Sequence, residues 1–64
     1  MMQSTWVLIK KLGEMTGYTE QAIRAKVKKG VWISGVHWRK APDGHLFFSP
    51  TAIAAWIEGR GVRQ

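Results

Sequence analysis

The 64-residue chain has no cysteine. Disulfides and zinc–thiolate sites are therefore excluded as staples, and folding must rest on an apolar core or on a partner. Acidic residues are scarce: Asp and Glu number 4 against 10 Lys and Arg, a formal net charge of +6. So one-sided a balance exceeds what solubility requires. It points to a polyanionic partner: nucleic acid, an anionic membrane surface or an acidic protein. Long apolar runs are missing as well. Trp6-Val7-Leu8-Ile9 is far shorter than the roughly 20 residues of a membrane span and too short for a signal-peptide core. No membrane partner is expected, and the cytoplasm is the expected compartment.

Catalytic groupings are also absent. No phosphate loop, paired carboxylates or nucleophile–base pair stands out. Glu20 suits the first turn of a helix, Asp43 suits a turn, and Ser49 suits a helix cap. His37 and His45 could face each other across a hairpin, but two ligands make a poor metal site. Neither enzyme activity nor a cofactor is expected.

What remains is one small domain, residues 1–59, followed by a short basic tail, 60–64. A domain of this size buries only about 60% of its unfolded surface. The four tryptophans supply burial from few residues. Thr5 to Leu8 reads as a short strand or extended lead-in. Ile9 to Met15 reads as a short helix, with Leu8, Leu12 and Met15 on one face; Gly13 weakens it and Gly17 stops it. Thr19 is a good N-cap for a second helix over 20–29, with Ile23 and Val27 facing inward and Gly30 as the stop. Val36 to Lys40 alternates like a strand, Ala41-Pro42-Asp43-Gly44 is a turn, and His45 to Phe48 returns. Ser49-Pro50 opens a third helix, which Gly59 ends. The expected core is Val7, Leu8, Leu12, Ile23, Val27, Trp38, Phe48, Ile53, Trp56 and Ile57, with Trp6 and Trp32 ambiguous. The tight turn between the first two helices and the following hairpin predict an α+β winged helix-turn-helix.

With Ile23 and Val27 inward, Gln21, Arg24, Ala25 and Lys28 share the outward face of the second helix. Arginine can read guanine edges and glutamine adenine edges in a major groove, and alanine allows close approach. Thr19 and Lys29 flank this face, and Lys28 and Lys29 suit phosphates. An ordinary solvated helix face is the competing explanation. On the hairpin, His37, Arg39, Lys40 and His45 are the polar alternates, which could lie along a DNA backbone or enter a minor groove. Lys10 and Lys11 sit at the start of the first helix, where cations oppose the dipole; phosphate contact explains them better than helix stability does.

The stretch from Gly17 to Trp32, with its Ala-Ile-Arg-x-Lys-x-x-x-Gly-x-Trp pattern over 22–32, resembles the excisionase family of bacteriophages and prophages. The Ser49-Pro50 helix with Ile53, Ala55, Trp56 and Ile57 is similar too. The resemblance spans about residues 6 to 59. It implies a winged-helix protein, related to the DNA-binding domains of MerR-type regulators, that binds repeated sites in attachment DNA at the nucleoid of a bacterial host. It implies that such a protein bends the DNA and favours excision by a tyrosine recombinase (the integrase), without chemistry of its own. Double-stranded DNA, neighbouring copies of the chain on DNA and the integrase are the implied partners. Two alternatives stay open: a prophage transcriptional regulator with the same fold, and an adaptor that docks an acidic protein.

Overall fold

A computed structural model describes residues 5–59; the expected basic tail, 60–64, lies outside the described residues. The chain order is β1 (Val7–Leu8), α1 (Ile9–Thr16), α2 (Glu20–Lys28), β2 (Trp38–Lys40), β3 (Leu46–Phe48) and α3 (Pro50–Ile57). This is the expected α+β winged helix-turn-helix.

Local chemistry sets the helix limits. Thr19 Oγ1 accepts a hydrogen bond from the Ala22 N–H at 3.1 Å, and Ser49 Oγ accepts one from the Ala52 N–H at 3.2 Å. Each satisfies one of the amides that a helix start leaves without a partner. Pro50 then occupies the first turn of α3, where no N–H is needed. Gly17 closes α1 at φ 87°, and its N–H donates to the Gly13 carbonyl.

Gly13 has a second role that helix propensity does not reveal. A Cβ at this position would lie 3.0 Å from the Tyr18 carbonyl oxygen, so the glycine lets the turn between α1 and α2 fold close against α1. Gly13→Ala gains about 1 kcal/mol of helix propensity but forces a backbone group aside, at a cost of about 1–3 kcal/mol. We expect a lower thermal midpoint for this variant by circular dichroism; a higher one would mean that the turn yields freely.

The sheet is antiparallel with order β1-β3-β2. Val7 and Trp38 flank Phe48 in register, while Leu8 and Arg39 flank Phe47. Alternation therefore turns Phe48 to the helices and Phe47 to the other face. The buried centre is Leu12, Ile23, Trp32, Phe48 and Ile53, with Val7, Val27, Trp38 and Trp56 packed around it.

Two expected core residues are corrected. Leu8 is 44% and Ile57 53% exposed: Leu8 falls on the Phe47 register, and Ile57 is the last residue of its helix. Trp32, ambiguous in sequence, sits at the centre with 1% exposure. Its rings meet Tyr18, His37, Phe48 and Trp56 at centroid distances of 5.6–6.4 Å. The Trp38 indole N–H donates to the Trp32 carbonyl at 3.1 Å.

His37 is also corrected. Strand alternation places it outward, but it is 2% exposed. The reason is that β2 begins only at Trp38; residues 33–37 form a turn in which the Val36 and His37 N–H groups both donate to the Ile33 carbonyl. His37 lies inside that turn, its Nδ1 accepting from the Ile33 N–H at 2.9 Å. The neutral ring must then carry its proton on Nε2, which is buried and meets no partner among the described residues.

Burial lowers the His37 pKa below its usual 6.5. A second proton would also set Nδ1–H against the Ile33 N–H. The folded state thus binds fewer protons than the unfolded one below about pH 6.5. Stability should be at its full value above that pH and decline as pH falls through it. Urea unfolding at pH 7.5 and 5.5 checks this; equal midpoints would contradict it.

Candidate nucleic-acid interface

α2 presents Gln21, Arg24, Lys28 and Lys29 to solvent, while Ile23 is buried and Ala25 half-buried. The placement follows from helical spacing around Ile23 and Val27. Thr19 is exposed at the N-cap; its hydroxyl accepts from the helix and keeps a proton to donate. Arg24 is 3.8 Å from Glu20 one turn earlier, and both side chains are more than half exposed. Exposed pairs at this spacing contribute about 0.3–0.5 kcal/mol, so a phosphate or a base edge can draw Arg24 away at little cost.

The hairpin turn is set by its own residues. Gly44 has φ 93°, its N–H donates to the Ala41 carbonyl at 2.9 Å, and the Ala41 N–H donates to the His45 carbonyl at 2.8 Å. Asp43 Oδ1 accepts from the His45 N–H at 2.9 Å, and this bond, more than any other contact, holds the Asp43 pKa below its ordinary value. His45 Nδ1 lies 3.2 Å from the same carboxylate, exposed to solvent. His37 and His45 do not meet: His37 is opposite Ser49 at one end of the hairpin, and His45 is at the turn.

The structure brings three elements to one place. Leu8 and Ile9 at the start of α1, Arg24 of α2, and Gly44, His45 and Leu46 of the hairpin line a single cleft of about 170 Å³. Arg24 and His45, far apart in sequence, share it. α1 also begins here, and Leu8 gives it no side-chain cap; Lys10, the residue after Ile9, is exposed. Lys11 is partly engaged by Glu14 at 3.8 Å. Arg39 and Lys40 are exposed and line a different cleft, with Trp6 and Phe47.

Sequence reasoning gave Lys26 no individual role. Its ammonium lies 4.2 Å from the Tyr18 ring centroid and 6.0 Å from that of Trp32, a pair of cation–π contacts. Its carbonyl accepts from both Val31 and Trp32 N–H groups, and Gly30 at φ 77° makes that return possible. The Lys-x-x-x-Gly-x-Trp spacing is thus the wiring that fixes α2 to the core. Its signal was present in the sequence as a pattern with no geometry attached.

A family model described as "Putative excisionase" matches residues 1–61. The chain belongs to this family. No curated protein and no solved structure matches the chain. Excisionase membership supports a recombination-related DNA-binding role, in a family of non-catalytic directionality factors. Among the described residues, no helix is long and apolar enough to cross a membrane.

Proposed function

We propose that this excisionase-family chain binds duplex DNA at specific sites, with α2 in the major groove and the β2–β3 hairpin as a wing on the backbone or minor groove. The observation that supports this is the shared cleft of Arg24 and the hairpin turn, where α2 and the hairpin stand side by side. Gln21 and Arg24 read base edges, and Ala25 allows close approach. Lys28, Lys29, Lys10, Lys11, Arg39 and Lys40 hold phosphates, with Thr19 and His45 at the edges of the contact. Copies on closely spaced sites bend attachment DNA, at an elastic cost of a few kcal/mol offset by these contacts, and so favour excision by a tyrosine recombinase. The protein contributes shape, not chemistry.

Neutralising about six phosphates predicts a slope near −5 for log affinity against log salt. Fluorescence anisotropy of a labelled duplex across about 50–200 mM salt, where the Debye length falls from about 14 to about 7 Å, measures it. An affinity that does not change with salt would sink the proposal.

A further inference from the structure

The sheet face turned away from the helices carries a second cleft, of about 400 Å³, lined by Trp6, Arg39, Lys40, Ala41, Pro42 and Phe47. Trp6 and Phe47 are both only half-buried, and the Arg39 guanidinium stands 5.9 Å from the Trp6 ring centroid. Among the described residues, no acidic side chain lines the cleft. Duplex recognition needs the two cations but gives no work to the two rings.

We infer that this cleft binds an unstacked nucleotide of single-stranded nucleic acid, its base against Trp6 and Phe47 and its phosphate at Arg39 and Lys40. Flat apolar rings beside cations match a base joined to a phosphate, the pairing that single-strand-binding surfaces use. A second copy of the chain fits poorly. It carries the same +6 charge, with only 4 acidic residues against 10 Lys and Arg. An acidic peptide would match the cations and leave the ring faces without a purpose.

The test uses the full chain with two probes of equal charge, hexathymidylate and an abasic hexamer of the same backbone. The wild-type protein should bind hexathymidylate at least about fivefold more tightly, since stacking on an aromatic side chain is worth that much or more per base. The Trp6 indole N–H resonance should shift on titration. Phe47→Leu, which keeps apolar volume and removes the ring, should abolish the preference. Arg24→Ala should preserve it while weakening duplex binding, so failure of this site and failure of the duplex reading are separable. Equal affinity for the two probes would overturn the inference. So would an unmoved Trp6 resonance, which needs no variant to fold, or a hexaglutamate peptide that binds as tightly as hexathymidylate.

Discussion

Trp32→Ala is expected to lower the thermal midpoint by at least about 12 °C. Replacing a buried tryptophan by alanine costs about 3–5 kcal/mol, and each kcal/mol moves the midpoint of so small a domain by about 4–8 °C. The total stability of 64 residues is on the order of 3–10 kcal/mol, so the variant stands at the edge of unfolding. The geometry says why no neighbour can compensate: four rings from α1–α2, the 33–37 turn, β3 and α3 converge on this one indole. Trp32→Phe should be milder. The Trp32 Nε1 has no hydrogen-bond partner among the described residues, so phenylalanine leaves some volume empty but breaks no bond of that group. Calorimetry or circular dichroism decides. A Trp32→Ala variant melting cooperatively within about 4 °C of the parent, the shift of a single kcal/mol, would show that the core does not centre on this ring. Saturating cognate DNA should partly restore the fold of Trp32→Ala, because a ligand that binds only the folded state stabilises it by mass action.

Arg24→Ala should cost about 1–3 kcal/mol of specific DNA affinity, roughly 5- to 150-fold, and relax sequence preference at one base position. Lys28→Ala should behave differently. As a phosphate contact it should weaken binding to all sequences alike and reduce the salt slope by about one. The contrast matters more than either value, since any basic residue on a charged face gives some loss. Anisotropy titrations against a preferred duplex and single-base variants of it separate the two patterns. If Arg24→Ala leaves duplex affinity unchanged, an adaptor for an acidic protein becomes the better account of the basic face. The loss will not come from the helix itself, because the exposed pair with Glu20 at 3.8 Å contributes little to stability.

Much of this fold is legible in the sequence because its boundaries are local. Thr19, Ser49-Pro50, Gly17 and the Pro42-Asp43-Gly44 turn each act on backbone groups within a few residues, so composition and spacing suffice to place them. The residues that were misread depend on distant partners. His37 fits a strand alternation, yet a turn precedes β2 and folds the ring inward beside Trp32. Leu8 and Ile57 share an apolar pattern with true core residues, but Leu8 falls in register with Phe47, away from the helices, and Ile57 is the last residue of α3. Gly13 looks like a weak point in α1 until the Tyr18 carbonyl is placed against it. The outward face of α2 followed directly from the inward pair Ile23 and Val27. Its approach to the hairpin turn did not, because loop lengths alone do not say which edge of the wing faces the helix.

The most direct test of specific duplex recognition is a gel-shift titration of the full chain at near-physiological salt. The probes would be duplex fragments flanking an integrase gene in the genome that encodes the protein, in excess random competitor DNA. The account predicts a ladder of discrete shifted bands that survives the competitor, as copies fill neighbouring sites. A single surviving band at a promoter alone would favour a transcriptional regulator. Loss of every shifted band to the competitor would contradict specific recognition by α2 and the wing.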